Sequence, residues 1–179
     1  MPVARLSVHL PAGEVGGFVG LLVDYFRAPD AAAAAAVDDP EWAGPLFPRG
    51  FAEPFDRVEA KGIDPSVALG KLVGLVQGVP WSLDLVEETL VRPTAEEAEA
   101  DPPESAVIQL GDGVRDVLAS VTAERVPDLA ARWATIEEFS GSSSGQGDAD
   151  YLAEVLSGLA ALSRRAQAAG EHLYCWWSV

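Results

Sequence analysis

The chain has 179 residues, of which 28 are acidic and 12 are basic, so its formal net charge is −16. This length suits one domain, and a hydrophobic content of 49% can supply its core. The charge argues against a nucleic acid or an anionic membrane as the main partner, because phosphate contacts need clustered Lys and Arg side chains.

The cysteine content and the N-terminal sequence bear on the compartment. Cys175 is the single cysteine and cannot form an internal disulfide, and we expect it to be a buried, inert thiol. The first residues lack the apolar stretch of a signal peptide. We therefore expect a soluble, cytoplasmic protein. Ten Arg against two Lys, with no Asn, is typical of a GC-rich bacterial genome.

The first third of the chain predicts a strand and two helices. Residues 4–10 alternate between apolar and polar side chains, which predicts a half-buried strand. Apolar side chains at helical spacing then predict a helix from about residue 14 to residue 27. Asp30 is placed to cap a short helix over residues 31–36. Four prolines make residues 40–54 irregular.

The middle of the chain contains its clearest helix start. Asp64 is a suitable N-cap and Pro65 suits the first helical position, while Gly78 is placed to end this helix. Residues 92–105 follow with five acids and three prolines and without an apolar period. They predict an exposed linker or long loop.

The last part predicts two strands and three helices. Residues 106–110 read as a strand, and the turn at residues 111–113 opens a short helix that ends near Val121. Pro127 can open the next helix, and residues 140–147 form a flexible Ser/Gly stretch. Asp150 is placed to cap a long helix that Gly170 ends. The closing segment, residues 173–179, has the β-propensity of a strand in the interior of a sheet.

These elements predict a helix-rich α+β fold, a single domain over residues 1–179 whose small sheet includes the N-terminal and C-terminal strands. Within it, the acidic loop at residues 92–105 would join two lobes, residues 1–91 and 106–179. The Ser/Gly loop at residues 140–149 would be flexible.

The sequence lacks the motifs of familiar chemistry. Gly13-x-x-Gly16-Gly17 has neither the spacing of a dinucleotide fingerprint nor the Lys of a phosphate loop. His9 and His172 are the whole supply of imidazole, and no metal-ligand spacing or nucleophile with a nearby base stands out. We therefore predict no cofactor, no metal and no catalytic residues.

Among the paired acids, Glu137 and Glu138 differ from the rest because Trp133, Ile136 and Phe139 surround them. Adjacent residues of a helix point about 100° apart, so such pairs are usually solvated surface. One of these two glutamates could instead lie at the edge of the core and bind Arg132 or a backbone N–H.

Three segments carry a resemblance: F-D-R-V-E-A-K-G-I-D-P from residue 55, W-A-T-I-E-E-F from residue 133, and L-Y-C-W-W-S-V from residue 173. Their arrangement resembles an uncharacterised group of bacterial proteins that is common in actinobacteria. The resemblance implies that the three segments belong to one structural or functional unit. The residues that it singles out are Lys61, Asp64, Trp133, Glu137, Glu138, Tyr174 and Trp176. Either they serve the fold as cap, core and ion pair, or they converge on a pocket lined by Trp133.

Three functions stay open at this point. The first is a non-enzymatic protein that binds a basic protein partner, as immunity or inhibitor proteins do, because an acidic surface attracts basic partners. The second is a small-molecule binding module or enzyme that uses a pocket near Trp133, Glu137 and Tyr174. The third is a self-associating structural protein.

Overall fold

The computed structural model describes residues 21–36, 55–139 and 148–178. The strands of this part are β1 (Leu22–Ala28), β2 (Arg57–Glu59), β3 (Glu88–Arg92), β4 (Ser105–Leu110) and β5 (His172–Ser178). Its helices are α1 (Ala31–Ala35), α2 (Gly70–Gln77), α3 (Ala95–Ala100), α4 (Asp112–Ala119), α5 (Val126–Trp133) and α6 (Ala149–Ala169). The α+β fold class is therefore confirmed.

The five strands form one antiparallel sheet in the order β2-β1-β5-β4-β3. The C-terminal strand β5 lies in the middle, where Cys175 pairs with Tyr25 of β1 on one side and with Ile108 of β4 on the other. This position confirms the prediction from the apolar closing segment. It also buries Cys175 completely, and this burial raises the pKa of its thiol well above the usual value.

The helix predicted from residue 14 to residue 27 is wrong where the structure describes it, because residues 22–28 form β1. Four consecutive side chains of this strand, from Val23 to Phe26, are buried, so both of its faces are covered. Pairing with β5 over seven residues outweighs the helical spacing of the apolar positions. The predicted strand at residues 4–10 and the irregular stretch at residues 40–54 lie outside the described residues, as does the Ser/Gly stretch at residues 140–147.

The predicted long loop over residues 92–105 contains a helix, α3. Thr94 accepts a hydrogen bond from Glu97 N at 3.3 Å, and the Glu97 carboxylate accepts one from Thr94 N at 2.8 Å, which is a capping box. The segment connects β3 to its partner β4 within the sheet. The segments before and after it, including β1 and β5, therefore share one sheet.

The other predicted helix starts and ends can be compared directly. The carboxylates of Asp30 and Asp64 cap the turns that follow them, and Gly170 ends α6 with φ at +68°, as predicted. The N-cap of α6 is Asp148 rather than Asp150, since the Asp148 carboxylate accepts a hydrogen bond from Asp150 N.

The sheet separates two apolar clusters. The larger cluster contains Tyr25, Ile108, Cys175 and the buried faces of α2, α4, α5 and α6. The smaller cluster lies on the opposite face and contains Phe26, Val107, Tyr174, Trp176 and Ala34 of α1. Alternation along β5 sends successive side chains to opposite clusters. None of the described helices is long and apolar enough to cross a membrane.

Two buried tyrosines on adjacent strands give a matched test of this packing. Tyr25 Oη donates a hydrogen bond of 2.8 Å to Ile63 O, whereas Tyr174 Oη has no hydrogen-bond partner among the described residues. Tyr25→Phe should lower the free energy of unfolding by about 1–2 kcal/mol, because the Ile63 carbonyl loses its donor. Tyr174→Phe should leave it unchanged or raise it by up to about 1 kcal/mol.

The measurement is denaturant unfolding of both variants, monitored by tryptophan fluorescence. A loss in Tyr174→Phe as large as the loss in Tyr25→Phe would show that the Tyr174 hydroxyl has a partner in the folded protein.

Candidate protein-interaction surface

The candidate surface is built on the start of α2. A π-helical turn, Pro65–Leu69, continues directly into this helix. The Asp64 carboxylate accepts hydrogen bonds from Val67 N at 2.7 Å and from Ala68 N at 3.2 Å. Trp133 of α5 is fully buried, and its Nε1 donates a hydrogen bond of 2.8 Å to Ala68 O. These contacts fix the π-helical turn that leads into α2 against the core.

Two glycines of α2 allow the following segment, residues 79–86, to lie close against the helix. A Cβ atom on Gly70 would lie 2.8 Å from Trp81 Nε1, and a Cβ atom on Gly74 would lie 3.0 Å from Val79 O. Because they are four residues apart, the two glycines share one face of the helix. Val79 N also donates a hydrogen bond of 3.0 Å to Gly74 O. A Cβ atom at Gly70 would force the Trp81 ring to shift, and a Cβ atom at Gly74 would press on the Val79 carbonyl.

Trp81 is held from three sides. Its Nε1 donates a hydrogen bond of 3.3 Å to Ser66 O, and its ring lies over the face that Gly70 leaves open. The Lys71 ammonium lies 5.6 Å from the centroid of the ring. Trp81 nevertheless remains 38% exposed, so part of a large apolar ring is fixed in position and presented to solvent.

Two other apolar side chains beside Trp81 are also exposed. Val79 is 44% exposed and Leu83 is 61% exposed. We call residues 79–83 the 79–83 surface. Three large apolar side chains that reach solvent within five residues, on a segment packed against a helix, are typical of an interaction surface rather than of scattered surface apolar residues.

Charged side chains of both signs lie beside the 79–83 surface: Lys71 lies against Trp81, and Arg125 donates a hydrogen bond of 3.0 Å to Val76 O. The segment itself carries no charged side chain, and exposed acids follow it in the sequence at Asp84 and Glu87. Most of the basic side chains of the described part form ion pairs with acids of the same chain. The residues in such pairs are Arg27, Arg57, Lys71, Arg115, Arg132 and Arg165.

A half-buried acid lies behind Trp81. Ser66, whose backbone carbonyl accepts the hydrogen bond from Trp81, donates its hydroxyl to Glu88 Oε1 at 2.8 Å. Burial raises the pKa of the Glu88 carboxyl, the Ser66 hydrogen bond opposes this shift, and the charge of Asp64 adds to it. Ser66 therefore connects Glu88 of β3, whose pKa is raised, to Trp81 of the 79–83 surface.

The structure does not bring the seven residues predicted as a site together. Asp64 and Trp133 meet at Ala68 and serve the fold. Tyr174 and Trp176 lie in the smaller apolar cluster, on the opposite face of the sheet from Trp133. Burial raises the pKa of the Tyr174 hydroxyl to about 12, and the nearby charges of Asp30 and Asp112 add to this effect.

The remaining predicted residues are at the surface. Lys61 and Glu137 are exposed, and Lys61 O accepts a hydrogen bond of 3.3 Å from Tyr151 Oη. Glu138 binds Lys71 Nζ at 2.5 Å rather than Arg132. Arg132 instead faces Asp128 at 3.7 Å. Glu138 therefore has Lys71 as its cationic partner, and not the Arg132 or backbone N–H that the sequence suggested.

Trp81 and Lys71 are the residues that sequence reasoning missed. Two signals for them were present. Gly70 and Gly74 are four residues apart within a helix, a spacing that marks a close approach to a helix face. Gly78 ends the helix, and the residues directly after it, Val79-Pro80-Trp81, are apolar, whereas an exposed loop is usually polar.

No group of three or more His, Cys, Asp or Glu side chains in the described ranges could hold a metal ion. Comparison of the chain with protein-family models, with curated proteins and with solved structures gave no match. The interpretation of the 79–83 surface therefore depends on its geometry and charge.

The raised pKa of Glu88 predicts that the free energy of unfolding depends on pH. Because its pKa is raised in the folded state, folding is favoured while Glu88 is protonated, and this advantage is lost as pH rises through the folded pKa. Glu88→Gln can keep the Ser66 hydrogen bond without the charge. Its free energy of unfolding should exceed that of the wild type at pH 7, and the difference should vanish below about pH 4.

Denaturant unfolding across this pH range measures the effect, and Glu99→Gln on the exposed side of α3 is the control. A Glu88→Gln variant that is less stable than the wild type at pH 7 would contradict the assignment of a destabilised carboxylate.

Proposed function

We propose that this protein is a non-enzymatic bacterial protein that acts in the cytoplasm by binding a basic protein partner through the 79–83 surface. The observation that carries the proposal is the fixed position of the exposed Trp81 side chain. Its hydrogen bond to Ser66 O and its close approach to Gly70 order the ring before any partner arrives. Side chains that are already ordered lose less conformational entropy when a complex forms.

The residue types of the 79–83 surface support binding to a protein. Trp is enriched among the few residues that carry most of the binding energy of an interface. Val79 and Leu83 extend the apolar area on either side of Trp81. The neighbouring acids provide a polar rim, where charge selects the partner more than it adds affinity.

The charge of the whole chain supports a basic partner. A net charge of −16 produces a field that accelerates encounter with cationic proteins and repels nucleic acids. Ion pairs remove acids and bases in equal number, so the excess of 28 acids over 12 bases sets the sign of the outward field. Inhibitor or immunity proteins that neutralise basic proteins are the class that this combination fits best.

A capture experiment with matched variants tests the proposal. The wild-type protein, Trp81→Ala and Leu22→Ala are immobilised and exposed to host lysate at low salt, and each captured protein is purified for calorimetric titration. Leu22 is 41% exposed and lies on β1, so its substitution removes exposed apolar area away from the 79–83 surface. We expect a basic partner whose dissociation constant rises about 30-fold with Trp81→Ala, a loss of about 2 kcal/mol, and is unchanged with Leu22→Ala.

Equal affinity of the wild type and Trp81→Ala for the captured protein would contradict the assigned surface, and an acidic partner would contradict the assigned chemistry. Sedimentation of the wild-type protein alone tests the hypothesis of a self-associating structural protein. A dimer that Trp81→Ala abolishes would identify a second copy of the chain as the occupant of this surface.

A further inference from the structure

We propose that the Trp81 ring and the Glu138 carboxylate form a recognition site for a cationic side chain, which Lys71 occupies in the free protein and an arginine of the partner takes over in the complex. This inference rests on the proposed function and specifies the chemistry of the partner at the 79–83 surface.

The position of the Lys71 ammonium shows what this site binds. Lys71 Nζ lies 2.5 Å from Glu138 Oε1 and 2.5 Å from Glu138 Oε2. The same atom lies 5.6 Å from the centroid of the Trp81 ring. A carboxylate and the face of an indole both attract cations, and a distance of under about 6 Å from the ring centroid is the range in which the ring contributes. The chain itself thus supplies a cation in a position that an external cation could use.

All three components can be reached from solvent. The side chains of Lys71 and Glu138 are 21% and 30% exposed, and Trp81 is 38% exposed. The pair is partly open to solvent, so water can replace Glu138 as the partner of the ammonium when an arginine displaces Lys71. The Lys71 ammonium would then move into water on a flexible four-carbon chain.

An arginine suits the site better than the resident lysine. A guanidinium is planar, so it can donate two parallel hydrogen bonds to Glu138 while it stacks on the Trp81 ring. An ammonium also reaches both partners here, but as a point charge it lacks the planar fork that matches a carboxylate and stacks on a ring. In the described part of the chain, Lys71 is the only lysine among the Lys and Arg ion pairs with acids, and the others use Arg. This lysine gives the site an occupant that an arginine can displace.

The experiment uses the full chain labelled with ¹⁵N and follows the Trp81 indole N–H signal. The probe is the blocked peptide acetyl-Gly-Arg-Gly-amide, and the control peptide replaces Arg by citrulline, which has nearly the same shape without the charge. We expect the arginine peptide to shift the Trp81 signal and the citrulline peptide to leave it in place.

Variants separate this site from general attraction to an acidic protein. Lys71→Met keeps the apolar part of the side chain and removes the competing cation, so the dissociation constant of the arginine peptide should fall about fivefold. Lys71→Gln provides the same test if the methionine variant is poorly folded. Glu138→Gln should abolish the shift, whereas Glu137→Gln removes the same charge from the neighbouring position and should leave it intact.

Equal shifts with both peptides, or no gain in affinity in either Lys71 variant, would overturn the inference. The captured partner makes the two proposals distinguishable. A partner that depends on Trp81 and is unaffected by Lys71→Met would leave the proposed function standing and remove this site. If the arginine peptide binds as expected but the affinity of the captured partner is unchanged by Trp81→Ala, the cation site would stand and the proposed function would be removed.

Discussion

The close approach of residues 79–86 to α2 is the constraint on which the candidate surface depends. A helix normally carries side chains that keep a neighbouring segment several ångströms away, but Gly70 and Gly74 remove two of them from one face. The Trp81 ring fills the space beside Gly70, and the Val79 carbonyl fills the space beside Gly74. The part of the Trp81 ring that remains exposed is therefore held in place from the helix side. The backbone of residues 79–83 is fixed against α2, so the apolar side chains of this segment are exposed to solvent in the folded protein without any local unfolding.

The close approach of residues 79–86 requires α2 to have a fixed position, and contacts with the core fix it. The hydrogen bond from Trp133 Nε1 to Ala68 O joins α5 to the π-helical turn before α2, and the Asp64 cap satisfies backbone N–H groups at the start of that turn. Beneath them, β5 at the centre of the sheet carries side chains into both apolar clusters. Asp64 and Trp133 thus hold the turn that leads into α2, and Glu138 pairs with Lys71 beside Trp81.

How much the sequence could reveal differed between the fold and the site. Local signals such as Asp64-Pro65 and Gly170 located helix ends correctly, and the apolar run of residues 173–179 located the central strand, because caps and strand propensity are local properties. The strand β1 was missed because its pairing with β5 links residues that are far apart in the chain. Tyr174 was wrongly grouped with Trp133. Tyr174 and Cys175 are neighbours in the sequence, but their side chains point to opposite faces of the sheet, and only Cys175 lies on the face of Trp133. Trp81 was missed because its importance comes from a contact with Gly70, not from its neighbours in the sequence.

Backbone ¹⁵N relaxation measures whether the 79–83 surface is ordered in the free protein. The amides of residues 79 and 81–85 can be compared with those of α2, on which they rest. We expect order parameters of about 0.85 throughout, the value of rigid backbone, because the segment is held by the glycine contacts and by the hydrogen bonds of Val79 N and Trp81 Nε1. Values below about 0.6 for these residues, with α2 remaining rigid, would contradict this expectation.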